Sequence, residues 1–276
     1  MQQVLKTMLE NVRAKTPLVH NITNYVTVND VANVLLAAGG SPIMSDDADD
    51  VEDITSICGG LNINIGTLNK NTIPSMFLAG KKANELGHIV LLDPVGAGAS
   101  RLRTDTANRL MQEVRFDAVR GNISEIKTLC TGSGSTKGVD ADAVDAVTEA
   151  NLDDGVQLVK TFAQRAGCIV AVTGAIDLVS DGERCWCIRN GRAEMSRITG
   201  TGCQLSALMT AFLVANPDRK LAAAAAAVCM MGLAGEIGWA NMQPGDGNST
   251  YRNRIIDAIF NMTGDALEEG AKYELR

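Results

Sequence analysis

Short apolar runs that stop at a glycine or a polar residue, in series with helical stretches, constrain this chain more than any other feature. The run at 61–65 stops at Gly66, 88–92 at Asp93-Pro94, 116–119 at Arg120-Gly121, and 168–172 at Thr173-Gly174. Residues 61–65, Leu-Asn-Ile-Asn-Ile, alternate and read as a strand, and the other three runs read as strands by their length and apolar content. Helical patterns at 73–86, from Asn122 onward and at 151–164 accompany them. Strand–helix pairs in series predict a parallel sheet with right-handed crossovers and helices on its faces. Asp181-Gly182, between strands at 176–179 and 184–188, is a hairpin signal, so one edge of the sheet turns antiparallel.

The flanks fit the same plan. A helix is expected over 3–14, a short apolar segment at 18–20, and a helix over 31–38 that Asn29 and Asp30 cap and Gly39-Gly40 ends. A short strand follows at 42–44, and the acidic run 46–53 opens another helix, since negative side chains favour that end. The last third reads as helices at 203–214, 220–240 and 251–264. No low-complexity linker or internal repeat divides the 276 residues, so residues 1–276 are expected to form a single α/β domain, a three-layer sandwich with a mostly parallel sheet.

Charge narrows the function. A net charge of −7 argues against a nucleic-acid partner bound through a broad basic face. The amphipathic opening segment lacks the unbroken apolar core of a signal peptide. The alanine-rich stretch 221–233 falls short of a membrane span and reads as a buried helix, so no membrane is expected as a partner. Cys58, Cys130, Cys168, Cys185, Cys187, Cys203 and Cys229 are odd in number and sit mostly in apolar runs; they read as thiols of a reducing compartment, and the expected location is cytoplasmic. Cys185 and Cys187 share one strand face, and with only His20 and His88 as partners a structural zinc is not expected.

Ligands of open parallel sheets bind beyond the carboxyl ends of the strands. Polar residues and glycines collect there at four junctions. Ile198-Thr-Gly-Thr-Gly-Cys203 leads into an apolar helix, whose free N–H groups either face an anion or merely close a tight turn. Asp93 is either a capping aspartate or a carboxylate that helps hold hydrated Mg²⁺. Asn122 and Glu125 have capping-box spacing; the alternative places Glu125 near a metal through water. Arg120 is either a surface arginine or a clamp for phosphate oxygens. Thr131-Gly-Ser-Gly-Ser-Thr-Lys137 resembles a phosphate loop but fails the Walker A spacing, and Gly96-x-Gly98 lacks the full dinucleotide fingerprint.

In number and order the motifs closely resemble those of the hydroxyethylthiazole kinases, within the ribokinase-like superfamily. They run from Pro17-Leu-Val-His-Asn-Ile-Thr-Asn-Tyr-Val-Thr-Val-Asn-Asp30 through Gly40-Ser-Pro-Ile-Met-Ser45, Asn64-Ile-Gly-Thr67 and Leu92-Asp-Pro-Val-Gly-Ala-Gly98. Arg120-Gly-Asn-Ile-Ser-Glu125, Val172-Thr-Gly174, Gly200-Thr-Gly-Cys203 and Gly232-Leu-Ala-Gly-Glu236 complete them. The resemblance implies a ribokinase-like sandwich without a lid, which phosphorylates the primary alcohol of 4-methyl-5-(2-hydroxyethyl)thiazole with ATP and Mg²⁺ in thiamine salvage. It also implies a homotrimer with active sites at subunit interfaces. Met44, Gly200, Asn24, Val26 and Gly66 would line the thiazole pocket. Arg120 and Thr173, with Asn122 beside them, would contact ATP, and Asp93 and Glu125 would organise Mg²⁺ and water. The turn of Gly200, Thr201, Gly202 and Cys203 would be the catalytic element.

Many ribokinase relatives carry an aspartate where Cys203 stands; a neutral thiol is a poor base for an alcohol, so alignment and charge stabilisation are expected to carry the chemistry. Pro244-Gly-Asp-Gly-Asn-Ser-Thr250 departs from the family's Gly-Pro-Gly-Ser-Phe, and none of the expected phosphate ligands lies in it. The rival readings are a kinase of the same fold acting on a pyrimidine alcohol or a vitamin B6 form, and a nucleotide sensor without turnover.

Overall fold

A computed structural model describes residues 3–131 and 146–276. All but Thr131 of the segment that mimics a phosphate loop up to Lys137 lies outside the described residues. Among the described residues nine strands form one sheet: β1 (Leu18–Ile22), β2 (Ser41–Met44), β3 (Gly60–Asn64), β4 (Ile89–Asp93), β5 (Ala118–Asn122), β6 (Ile169–Thr173), β7 (Asp177–Ser180), β8 (Cys185–Ile188) and β9 (Tyr273–Leu275). Their order is β2-β1-β3-β4-β5-β6-β7-β8-β9. Every pairing from β2 to β6 is parallel, and those from β6 to β9 are antiparallel. The Asp181-Gly182 turn joins β7 to β8 as expected, with Gly182 at φ +97°.

Helices cover both faces. α1 (Val4–Lys15), α2 (Val28–Ala38), α8 (Thr201–Ala215), α9 (Lys220–Ala240), α10 (Asn248–Asn261) and α11 (Gly264–Gly270) lie on one side. α3 (Val51–Ile57), α4 (Thr72–Leu86), α5 (Arg101–Glu113), α6 (Ile123–Thr131) and α7 (Leu152–Ala166) lie on the other. The strands feed the two cores alternately. Leu91, Ala118, Ile169 and Ala171 join the first, whereas Val90, Leu92, Val119, Val170 and Val172 join the second. With both faces covered, β3 is buried along its whole length, and the alternation of its sequence does not mark a solvent face. Its polar side chains are paired inside: Asn62 donates to Asn21 and Asn64 to Asp93. α9, with the turn before it, is long and apolar enough to cross a membrane, but it is a core helix, mostly buried.

Two local expectations need correction, and two elements are not among those expected. α2 starts at Val28 rather than Val31, because Thr27 is held in place by the Asn24 side chain; Asn29 and Asp30 lie in its first turn and do not cap it. The expected strand at 116–119 is shifted: β5 runs from Ala118 through Asn122, so Arg120 and Asn122 are strand residues. α5 and β9 escape the apolar pattern. α5 has a mostly polar sequence in which only Thr106, Ala107 and Leu110 are buried, and its signal is the Ser100 hydroxyl capping the Arg103 N–H. β9 is a three-residue edge strand, half exposed.

Candidate active site

Parallel register lines up the carboxyl ends of the strands above the amino terminus of α8. Asn64 is the register partner of Asp93, and Asn122 of Thr173. Asp93 is fully buried. Its Oδ2 accepts hydrogen bonds from Asn64 Nδ2 (2.7 Å) and Ser206 Oγ (2.8 Å), and Arg120 Nη1 lies 3.6 Å away. Its Oδ1 is buried without a partner among the described residues. Burial pushes the Asp93 carboxyl above its ordinary pKa, against the pull of Arg120, Ser206 and Asn64.

The capping box forms. Asn122 Oδ1 accepts from the Glu125 N–H and Glu125 Oε2 from the Asn122 N–H, both at 2.8 Å. The other Glu125 oxygen accepts from the Gly96 N–H at 2.7 Å. The box does not remove Glu125 from the site: burial first, then the charge of Asp93, raises its pKa to about 7. A cation beside these two buried carboxyls would favour the charged forms that burial disfavours, and Asp93 Oδ1 is a candidate ligand oxygen. No group of three or more His, Cys, Asp or Glu side chains is arranged to hold a metal among the described residues. This donor set fits Mg²⁺, a hard ion that keeps several waters and fills its shell with substrate phosphates.

Arg120 reaches across to Thr173, donating to its Oγ1 at 2.5 Å. The guanidinium lies against Gly202, where a Cβ would stand 2.5 Å from Nη1. Gly200 precedes α8 at φ +83°, and a Cβ there would stand 2.1 Å from Thr27 Cγ2, so only glycine serves. Gly200 offers no capping side chain, and the helix ladder begins with Gln204 N–H bonding Gly200 O. The N–H groups of Thr201, Gly202 and Cys203 therefore precede the ladder beside Arg120, as an anion site requires.

Cys203 is buried, with Asn24 Nδ2 donating to its Sγ at 3.2 Å. Burial, and after it the charge of Asp93, pushes the thiol up to about 11. Asn24 also bonds Asn64 Oδ1 (3.0 Å), and Asn64 Oδ1 receives the Gly66 N–H (2.9 Å). Half-buried Met44, at the end of β2, packs with Val95 against the cluster containing Cys203, Val31 and Ala207. Val26 stands apart: it is 56% exposed, next to Tyr25 at 79%.

A cavity of about 580 Å³ opens beside Arg120, Thr173 and Gly202; its far wall is the loop 190–196, and Leu205, Val228 and Met231 give it an apolar floor. A narrower cleft of about 130 Å³ lies beside Asn64, lined by Thr23, Tyr25, Thr67 and Met76. The site thus has a large cavity and a small cleft with the charged row between them. Sequence reasoning missed Ser206, whose signal is its place three residues after Cys203 on a helix. It also missed Asp177, which accepts the Gly174 N–H at 2.8 Å and which burial pushes up to about 7. The loop 190–196 carries no recognisable signal of its own.

The hydroxyethylthiazole kinase family model matches residues 9–265. A hydroxyethylthiazole kinase from Clostridium acetobutylicum is 57% identical, covering 98% of this chain and 99% of its own. One from Ruminiclostridium cellulolyticum is 48% identical over 96% and 95%. The solved structure of a hydroxyethylthiazole kinase protein from Pyrococcus horikoshii OT3 superposes with a TM-score of 0.87 at 33% identity, covering both chains completely. A pyridoxal kinase from Staphylococcus aureus, solved with ADP, shares the fold at a TM-score of 0.59 and 13% identity, over 77% of this chain and 85% of its own.

Proposed function

The chain belongs to the hydroxyethylthiazole kinase family, and from that premise we infer that it transfers the γ-phosphoryl group of ATP to the primary alcohol of 4-methyl-5-(2-hydroxyethyl)thiazole. The observation that carries this beyond membership is the row of Asp93, Arg120 and the three N–H groups of Thr201, Gly202 and Cys203, set between a nucleotide-sized cavity and a small cleft. Phosphoryl transfer needs positioning and charge stabilisation more than covalent help. The N–H groups and Arg120 face the transferring phosphoryl; Thr173 and Asp93 hold the guanidinium in place. Asp93 would hold Mg²⁺, with Glu125 acting on it through water, and the ion would neutralise phosphate charge. The apolar floor of the larger cavity suits the nucleotide base; on the thiazole side Asn24 and Gly66 are bonded to Asn64, which lines the small cleft, and Met44 packs with the Cys203 cluster.

The test is ADP and thiazole-phosphate formation from ATP, Mg²⁺ and the thiazole alcohol, with the pyrimidine alcohol and pyridoxal as competitors. Turnover of the thiazole alcohol at least about tenfold above the others in kcat/KM is expected. Turnover confined to pyridoxal or the pyrimidine alcohol would assign the fold to another substrate.

Two replacements at the thiazole side divide packing from chemistry. Met44→Ala should raise the thiazole KM about tenfold and leave the ATP KM within about twofold, because a thioether packed on a heteroaromatic ring contributes mainly to binding. Equal thiazole binding by calorimetry would remove Met44 from the pocket. Cys203→Ser should keep single-turnover phosphoryl transfer within about tenfold, because a thiol with a pKa near 11 is neutral and the backbone N–H groups survive the change. A folded serine protein with no transfer would give the thiol a direct part in the step.

The homotrimer with active sites at subunit interfaces is part of the same proposal. Support comes from Tyr25, Val26, Leu36 and Ile57, large apolar side chains 56–79% exposed, of which Tyr25 lines the small cleft. Sedimentation of the active protein should give three chains per particle; a fully active monomer at assay concentration would exclude it.

A further inference from the structure

Helix α9 carries Gly232, Gly235, Glu236 and Trp239 at i, i+3, i+4 and i+7, which is one stripe of its surface. All four meet the loop that follows β8. A Cβ on Gly232 would stand 2.7 Å from the Asn190 backbone, and one on Gly235 would stand 2.2 Å from Met195 Sδ. Arg192 lies over the Trp239 ring, 5.4 Å from its centroid. Glu236 Oε1 accepts from the Gly191 N–H at 2.9 Å and from Asn190 Nδ2 at 3.2 Å. Its Oε2 takes Lys272 Nζ at 2.6 Å. Asn190 extends the connection to the segment entering β9: Nδ2 also donates to Gly270 O (3.0 Å), and Oδ1 accepts the Lys272 N–H (2.7 Å).

The loop so held is the far wall of the 580 Å³ cavity, where Asn190, Gly191, Arg192 and Met195 face Arg120 and Thr173 across the opening. Glu236 is not among the residues lining that cavity. Its carboxylate points at the loop's backbone and at Lys272. Burial works against its ionisation, but Lys272, the Gly191 N–H and Asn190 hold its pKa below the ordinary range. A glycine pair for close approach and one anion for the turn's N–H and amide make the Gly232-Leu-Ala-Gly-Glu236 motif a seat for this loop.

We propose that Glu236 is a positioning residue for ATP: through Gly191 and Asn190 it fixes the wall of the nucleotide cavity, and Lys272 makes the segment before β9 part of that wall's support. The proposal rests on the reading of this cavity as the ATP site. Glu236→Ala should raise the ATP KM about tenfold, with the thiazole KM and the kcat at saturating ATP changed less than about threefold. Glu236→Gln keeps an oxygen for the Gly191 N–H and should return the ATP KM to within about threefold of the parent, although the charge pair with Lys272 is lost. Asn190→Ala, which removes the bonds to Glu236 and to the Lys272 N–H, carries the same test if the alanine protein at 236 does not fold. Ser196→Trp, which fills the cavity from its rim, separates the two readings by calorimetry with ATP. Unchanged ATP binding in Ser196→Trp would overturn the cavity assignment. Loss of ATP binding there, with an unchanged ATP KM in Glu236→Ala, would overturn the inference alone. A lowered Tm with both KM values raised equally would also overturn it, since Glu236 would then serve only the fold.

Discussion

Asp93→Asn should lower kcat about 100-fold or more at saturating ATP and Mg²⁺, while the Tm of the metal-free protein stays level or rises. The two halves of this result have one cause. The Asp93 carboxylate is fully buried, one of its oxygens has no partner among the described residues, and burial raises its pKa, so as a charge it costs the folded chain free energy. Such a group is kept for what arrives: a cation and the phosphates it carries. Asparagine keeps the shape and can keep its oxygen toward Asn64 Nδ2 and Ser206 Oγ, with its NH₂ where Oδ1 stood, but it removes the charge facing Arg120 Nη1 at 3.6 Å. Added Mg²⁺ should restore little, because the missing element is the anionic oxygen. The measurement is kcat against Mg²⁺ concentration, beside thermal unfolding without metal. A variant within about tenfold of the parent would make Asp93 a structural member of the network. A fall in Tm without loss of kcat would assign it the same structural part.

The sequence made the row of strand ends legible and left the cavity wall dark, for a physical reason. Asp93, Arg120, Asn122 and Thr173 close apolar runs, and parallel pairing brings the carboxyl ends of such runs to one edge. The turn at Gly200 is legible because two glycines directly before an apolar helix have few structural uses. Glu125 shows the limit of local pattern. Its spacing from Asn122 offers a capping box or a place near a metal, whereas the structure has the box formed and the carboxyl still within the field of Asp93. The loop 190–196 has no such signal, since its residues are placed by a helix stripe some forty positions later and by the approach to β9. The motif at 232–236 is visible, but its partner is not. The start of α2 escapes the capping pattern because Asn24, upstream of the helix, holds Thr27.

Gly202→Ala should lower kcat/KM for ATP about 100-fold, by displacing a side chain that is not its neighbour in sequence. In an exposed helix the exchange would stabilise by about 1 kcal/mol. Here a Cβ would stand 2.5 Å from Arg120 Nη1 and 2.9 Å from Cζ, closer than atoms pack. The guanidinium has little room to yield. Thr173 Oγ1 holds one end, Asp93 lies on the other side, and Nε is buried. It must leave the row, and the position it leaves is the one that faces the phosphates beside the N–H groups of α8. A loss from general distortion of the helix end would look similar in the single variant, so the decisive measurement is a double-mutant cycle. Arg120→Ala alone should cost about as much as Gly202→Ala, since both remove the same clamp. If the methyl acts only through Arg120, adding Gly202→Ala to Arg120→Ala should cost less than about threefold more. Costs that multiply would show two independent injuries, and Gly202 would then owe its place to the backbone path of the anion site rather than to the guanidinium above it.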